Sequence, residues 1–84
     1  MECANQQSLT IETTSRPTLP TLRFGSSGDA VRVLQKLLLC YRYGVRIDGV
    51  FSTLTETAVK AFQNQRNILV DGIVGPQTWR ELTQ

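Results

Sequence analysis

The feature that most constrains this chain is an internal repeat. Residues 30–35 read Ala-Val-x-x-Leu-Gln, and residues 58–63 read Ala-Val-x-x-Phe-Gln. Residues 48–55 read Asp-Gly-Val-Phe-Ser-x-x-Thr, and residues 71–78 read Asp-Gly-Ile-Val-Gly-x-x-Thr. Each copy joins apolar residues at helical spacing to a turn sequence and then to residues that favour a helix start. The repeat therefore predicts three helices connected by two Asp-Gly loops.

The first helix is predicted over residues 28–43. Apolar residues recur at i, i+3, i+7 and i+10 from Val31, which places them on one helix face. Ser26 and Asp29 have the spacing of a capping box at its start. Gly44 is the expected left-handed residue at its end, since glycine adopts that conformation without strain.

Two further helices are predicted over residues 53–66 and 76–83. Ser52 precedes the second as a favoured N-cap, and Asn67 follows it as a residue that tolerates the left-handed conformation. The third helix begins at Pro76, because proline at the first helical position has no N–H to leave unpaired.

The two Asp-Gly loops have a common predicted geometry. Gly49 and Gly72 are expected to take positive φ in tight turns. Asp48 and Asp71 are expected to accept hydrogen bonds from backbone N–H groups two residues further on. These residues are therefore explained by structure before any function is considered.

The chain of 84 residues has room for one domain. Residues 1–20 are rich in Ser, Thr, Gln and Asn and show no apolar period, which predicts a flexible, disordered tail or linker. Residues 21–84 are the predicted domain. The expected fold class is all-α, a small three-helix orthogonal bundle with two Asp-Gly loops and a disordered N-terminal tail.

Composition argues against several function classes. The sequence contains no histidine, and its two cysteines, Cys3 and Cys40, lack metal-ligand spacing, so no metal site, cofactor or catalytic residue is predicted. Cys40 lies in an apolar helical run and is predicted to be a buried thiol. The basic residues are scattered and the net charge is +2, which does not suggest nucleic-acid binding. No apolar run approaches the roughly 18 residues that a membrane span needs.

Residues 22–82 resemble the peptidoglycan-binding domain, an accessory module of bacterial cell-wall hydrolases. The family's Leu-Arg-x-Gly-Ser opening is similar to residues 22–26, and its Val-x-x-Leu-Gln is similar to residues 31–35. Its Asp-Gly-x-Phe turn is similar to residues 48–51, and its closing motif to residues 71–79. Ser52 and Asn67 stand where the family usually has glycine. The resemblance implies a three-helix fold and non-catalytic binding of peptidoglycan, through its glycan strand or its peptide stem.

The candidate binding residues lie in or near the two Asp-Gly loops. Tyr43 and Arg46, near the end of the first helix, are expected at the surface, and Arg46 is suited to pair with a stem-peptide carboxylate. Tyr41 and Trp79 are assigned mainly to the core. The full set of predicted ligand-binding residues is Tyr43, Arg46, Asp48, Phe51, Asn67 and Asp71.

A protein–protein interaction module on the same scaffold is the alternative, because a fold does not determine its ligand. The N-terminus shows no signal-peptide pattern. The expected location is the cell envelope or periplasm if export is provided by another segment, and the cytoplasm otherwise.

Overall fold

Three helices form the described part of the molecule. A computed structural model describes residues 19–84 of the protein. Its helices are α1 (Asp29–Cys40), α2 (Thr53–Gln65) and α3 (Pro76–Leu82). Within that range there are three helices and no strand, so the expected all-α, three-helix class is confirmed. The predicted tail lies almost wholly outside the described residues.

The core is built from all three helices and from the segments that join them. Each helix buries one apolar face, and burial of a large aliphatic or aromatic side chain contributes roughly 1.5–3 kcal/mol. The buried apolar residues are Leu22, Val31, Leu34, Leu37, Leu38, Phe51, Ala58, Val59, Phe62, Val74, Trp79 and Leu82.

The end of α1 differs from the prediction. The helix ends at Cys40, and Arg42 rather than Gly44 takes the left-handed conformation, with φ 71°. The N–H groups of Arg42 and Tyr43 close the last turn by donating to helical carbonyl oxygens at 2.8 and 2.9 Å. The pattern is a Schellman motif. The assignment of the cap to Gly44 is wrong, as is the helix bound at residue 43.

Packing of two tyrosines explains why the helix ends early. Tyr41 and Tyr43 both pack against Phe62, with ring centroids 5.3 and 6.1 Å apart. Residues two positions apart in a continuous helix point to different faces. Reversal of the chain at Arg42 brings both rings to the same aromatic neighbour, at the cost of a strained backbone at Arg42.

The helix starts agree only in part with the prediction. The N-cap of α1 is Gly28, and no side chain caps that helix. Ser26 instead accepts the N–H of Arg23 at its Oγ, at 3.1 Å, so the predicted capping box is wrong. Ser52 and Gly75 occupy the N-cap positions of α2 and α3, as expected. Both later helices end one residue earlier than predicted.

The predictions for Asn67, after α2, and for Cys40, at the end of α1, had different outcomes. Asn67 follows α2 with φ 58°, which confirms its left-handed conformation. Cys40 is exposed at the last position of α1, so the prediction of a buried side chain is wrong. It lies two residues before the chain reversal at Arg42 and outside the buried face. Among residues 19–84, no helix is long and apolar enough to cross a membrane.

The segment before α1 ties the two loops to each other. Leu22 pairs with Val74 through two backbone hydrogen bonds, of 3.1 and 2.8 Å. A few residues later, the N–H of Gly25 donates to the carbonyl oxygen of Phe51 at 3.0 Å. The indole N–H of Trp79 donates to the carbonyl oxygen of Pro20 at 2.8 Å. This short segment therefore fixes both connections against one side of the bundle.

Candidate functional site

The first Asp-Gly loop is organised by a buried glutamine. Gln35 is fully buried on α1, and its Oε1 accepts the N–H groups of Asp48 and Gly49 at 3.0 and 2.9 Å. Its Nε2 lies 3.1 Å from Asp48 Oδ1, 3.0 Å from the carbonyl oxygen of Val50 and 3.1 Å from Thr55 Oγ1. One side chain thus satisfies polar groups across the whole loop and at the start of α2.

The second loop repeats this arrangement. Gln63 on α2 is fully buried, and its Oε1 accepts the N–H groups of Asp71 and Gly72 at 3.1 and 3.0 Å. Its Nε2 lies 3.0 Å from Asp71 Oδ1, 2.9 Å from the carbonyl oxygen of Ile73 and 3.0 Å from Thr78 Oγ1. The sequence repeat therefore encodes a glutamine that holds the loop following its own helix.

The aspartate and the glycine of each loop stabilise the tight turn in which they lie. Asp48 accepts the N–H of Val50 at 3.0 Å, and Asp71 accepts that of Ile73 at 2.9 Å. Gly49 and Gly72 have φ values of 77° and 75°, as the sequence predicted. The tight turns therefore require these residue types whether or not a ligand is bound.

The Asp48 carboxylate is held in its ionised form. The backbone N–H of Val50, the side-chain amide of Gln35 and the charge of Arg46 lower its pKa below the usual 3.8. Its exposed position beside Arg46 leaves it accessible to solvent. Asp48 is thus an anionic hydrogen-bond acceptor at neutral pH rather than a proton donor.

An open groove lies where the C-terminal ends of α1 and α2 meet. Its volume is about 280 Å³, and it is lined by Tyr41, Tyr43, Phe62, Gln65 and Arg66. The Tyr43 ring stands edge-on to Phe62 with an interplanar angle of 83°. Aromatic faces beside polar groups are typical of small-ligand sites.

Arg66 supplies the positive charge of this groove. Its guanidinium carbon lies 5.2 Å from the Tyr41 ring centroid and 5.1 Å from that of Phe62. It forms a long ion pair with Glu81, at 3.8 Å, and its side chain is 35% exposed. The Tyr41 hydroxyl donates to the carbonyl oxygen of Leu82 at 3.1 Å, which fastens the end of α1 to α3. The cation is therefore held by stacking and remains accessible.

The structure separates the predicted binding residues into three groups. Tyr43 is half-buried and lines the groove, whereas Arg46 and Asp48 are exposed on the first loop. Asn67 and Asp71 are exposed beyond the end of α2 and do not line the groove.

Phe51 is placed differently from the other predicted residues. It is fully buried in the core, with 0% exposure. Its ring has no surface to offer a ligand in this structure, so its inclusion among the binding residues is corrected. The aromatic of the Asp-Gly-x-Phe turn packs the loop onto the bundle.

Sequence reasoning missed Gln65 and Arg66. It assigned Tyr41 mainly to the core, and Tyr41 does pack against the core while it also lines the groove. The available signal was the spacing of Phe62 and Arg66, which are neighbours at i and i+4 on one helix face. Their meeting with the tyrosines depends on the reversal at Arg42, which the sequence pattern did not reveal. Among residues 19–84, no group of three or more His, Cys, Asp or Glu residues could hold a metal ion.

The chain is similar to segments of known cell-wall proteins. The Zinc D-Ala-D-Ala carboxypeptidase of Streptomyces albus G is 42% identical over 67 residues, which is 76% of this chain and 26% of that protein. A solved peptidoglycan-binding protein from Clostridioides difficile, in complex with glutamine hydroxamate, is 38% identical with a TM-score of 0.78, over 81% of this chain and 43% of that one. The SleB N-terminal domain is 32% identical with a TM-score of 0.74, over 80% of this chain and 93% of that one.

The match covers most of this chain but only part of the longer relatives. The chain spans between 20 and 55% of the length of the first curated relatives that it matches. The family model described as "Putative peptidoglycan binding domain" matches residues 27–82, which include all three helices and both loops. The chain belongs to this peptidoglycan-binding domain family.

Proposed function

We propose that this domain binds peptidoglycan and leaves it chemically intact, with the groove at the ends of α1 and α2 as its principal contact surface. The observation that carries the proposal is a match to the family across the whole three-helix unit, residues 27–82. The groove adds aromatic surface and a positive charge, which suit a polymer of amino sugars and short acidic peptides.

The loop carboxylates support binding rather than hydrolysis. A glycosidase needs two carboxyl groups flanking the bond, one of them protonated to act as the general acid. Asp48 is kept ionised and its Oδ1 is engaged by Val50 and Gln35. Asp71 Oδ1 is engaged in the same way by Ile73 and Gln63. Both residues are therefore explained by the loops they shape.

The coverage of the relatives suggests how the domain is used. It corresponds to about a quarter of the Streptomyces albus G carboxypeptidase, so most of that enzyme lies outside the similarity. A small domain that binds an insoluble polymer raises the local concentration of anything attached to it. We therefore place this domain at the cell envelope, where it anchors or targets an attached protein to the wall.

The exposed residues of the first loop extend the proposed contact surface. Arg46 follows the groove residue Tyr43 by three positions and carries a positive charge into solvent. Asp48 offers an ionised acceptor for hydroxyl or amide donors. Asn67 and Asp71 form a second, smaller set beyond α2. They are the alternative binding site if substitutions in the groove do not lower sacculus binding.

Co-sedimentation with purified cell-wall sacculi tests the proposal. The wild-type chain should sediment with them, and Gln65→Ala and Arg46→Ala should each lower the bound fraction without a change in melting temperature. Tyr43→Ala should lower the bound fraction together with the melting temperature, because its ring also packs against Phe62. Gln77→Ala is the matched control, because Gln77 is an exposed glutamine on α3 outside the groove. Equal binding by all variants would move the site away from the groove.

A second measurement tests whether the domain cleaves peptidoglycan. Sacculi incubated with the domain should release no soluble sugar or peptide above a buffer control. Release that depends on the domain would contradict the non-catalytic part of the proposal, and failure of the wild type to sediment with any sacculi would contradict the binding part.

A protein partner is the second candidate function, and one surface favours it. Leu69 and Val70 are adjacent on the second loop and are 71 and 45% exposed. Neighbouring exposed apolar side chains are common at protein contacts, although small patches also occur on ordinary surfaces. Leu69→Ser should leave sacculus binding unchanged if the groove is the wall-binding site. A loss of sacculus binding in that variant would assign the second loop to the wall instead.

A further inference from the structure

The guanidinium of Arg66 is the best-placed anion receptor in the described part of the molecule. Two aromatic rings, those of Tyr41 and Phe62, lie within 5.2 Å of it and limit its motion. An arginine that is already ordered loses less freedom on binding a ligand than a mobile surface arginine does. Its position is therefore set before a ligand arrives.

The same guanidinium still has donors to offer. Among residues 19–84, its acidic neighbour is Glu81 at 3.8 Å, which is longer than a hydrogen bond. A planar guanidinium presents paired N–H groups that match the two oxygens of a carboxylate. A ligand carboxylate at bidentate distance would make a stronger contact than Glu81 makes here.

The rest of the groove suits a peptide end. Tyr43 and Gln65 provide a hydroxyl group and an amide group at its rim, which can bond to peptide N–H and C=O groups. The volume of about 280 Å³ is at the lower end for small-ligand sites, which run from roughly 300 to 1,000 Å³. Such a space fits the end of a short peptide better than a run of sugars.

We propose that the groove is a receptor for the free carboxylate end of a peptidoglycan stem peptide, with Arg66 as the group that binds the carboxylate. The inference rests on the proposed function and names the part of the polymer that is recognised. Glu81 occupies the cation in the unbound domain and competes with the ligand. The Tyr41 and Phe62 rings orient the guanidinium, and the half-buried Tyr43 ring contacts the apolar side of the bound residue.

Amide NMR titration of the 84-residue chain tests the inference with three probes. They are a synthetic stem pentapeptide ending in D-Ala-D-Ala with a free carboxylate, the same peptide as its C-terminal amide, and the sugar chain chitotetraose. The free acid should shift the signals of Tyr43, Gln65 and Arg66, and the amide should bind at least about tenfold more weakly, as expected for one lost charge-assisted contact. Equal binding of acid and amide, or the same shifts with chitotetraose alone, would overturn the inference.

Two substitutions with opposite expected effects on affinity for the acid peptide provide a further test. Arg66→Gln should reduce affinity for the acid by about tenfold or more, whereas Arg80→Gln, which removes an equal charge from an exposed site on α3, should not. Glu81→Gln removes the competing carboxylate and should strengthen binding of the acid. It also keeps the inference testable if Arg66→Gln fails to fold, since unchanged or weaker binding by Glu81→Gln would contradict it.

Two further outcomes distinguish binding of a stem-peptide carboxylate from binding of a protein C-terminus and from peptidoglycan binding in general. A pentapeptide of the same sequence ending in L-Ala-L-Ala that binds more tightly than the D-Ala-D-Ala form would point to the C-terminus of a protein and overturn the inference. Sacculi that bind the domain while the acid peptide does not would refute the inference and leave the proposed function standing. Failure of both would refute the proposed function itself.

Discussion

The two repeats of this domain share a framework but not a surface. Gln35 and Gln63 make the same set of five contacts, at distances that agree within 0.2 Å, to the loops that follow their helices. The residues that precede the two Asp-Gly pairs are different: Arg46 and Ile47 in the first repeat, Leu69 and Val70 in the second. The buried polar network is thus the same in both repeats, while the exposed positions differ.

The connections between helices also differ. Residues 41–52 join α1 to α2, whereas the shorter stretch 66–75 joins α2 to α3. The first connection includes the reversal at Arg42 that brings Tyr43 onto Phe62, and so it builds one wall of the groove. The repeat therefore explains the fold, and the groove lies where the first connection departs from the repeat.

The largest expected effect comes from the shared network. Gln35→Leu and Gln63→Leu should each lower the free energy of unfolding by about 3 kcal/mol or more, because each leaves buried backbone N–H groups without an acceptor. Urea denaturation followed by circular dichroism measures both losses. Gln77→Leu, at an exposed position, is the control. A loss below about 1 kcal/mol in either repeat would break the claim that the two networks are equivalent.

Replacing the loop glycines should affect the two repeats alike. Gly49→Val and Gly72→Val should each cost on the order of 1–3 kcal/mol, since both residues hold positive φ. The two costs should be similar, because an added Cβ would meet the flexible end of Lys60 at 3.0 Å at Gly72 and the flexible end of Arg32 at 3.1 Å at Gly49. Melting temperatures of the two variants measure both costs, and an unchanged value at either site would show that its backbone is not strained.

The two left-handed helix ends should respond unequally to glycine. Arg42→Gly should stabilise the domain by about 0.5–1 kcal/mol, because arginine is strained at φ 71°. Asn67→Gly should change stability by only a few tenths, since asparagine tolerates this conformation. Gly44→Ala is the control, because Gly44 does not take positive φ. Thermal denaturation that shows a loss for Arg42→Gly would place strain elsewhere in the first connection.

The smallest effect concerns pH. The hydrogen bond from Val50 and then that from Gln35 lower the folded-state pKa of Asp48 below 3.8, so its ionisation stabilises the fold above that pH. The stabilisation should be lost as pH falls through the folded-state pKa. Asp48→Asn should therefore flatten the dependence of unfolding free energy on pH below about pH 4. An identical acid profile in wild type and variant would contradict the proposed role of the carboxylate.

Local patterns in the sequence predicted the parts of the fold that local physics controls. The α2 and α3 starts, the positive φ of Gly49 and Gly72, and the turns at the two loop aspartates follow from residue type and spacing. The end of α1 could not be predicted in this way. Packing of Tyr43 on Phe62 outweighs the backbone preference of Arg42, and periodicity carries no information about that contact.

The candidate site was predicted less well than the fold. Tyr43 was found because it lies at a helix end, but Arg66 was missed because its role depends also on the Tyr41 ring, which is distant in the sequence. Phe51 was included because aromatic residues suit sugar binding, yet its apolar ring is more useful to a small core. The repeated glutamines were visible in the sequence, but their partners became apparent only with the loops in place.

The central claim is that peptidoglycan binds at the groove, away from the exposed second loop. The most direct measurement is chemical-shift mapping of the labelled domain with soluble fragments from digested peptidoglycan. We expect perturbations at Tyr41, Tyr43, Gln65 and Arg66, with Leu69 and Val70 unchanged. Perturbations confined to the second loop, or none with fragments of any wall type, would contradict it.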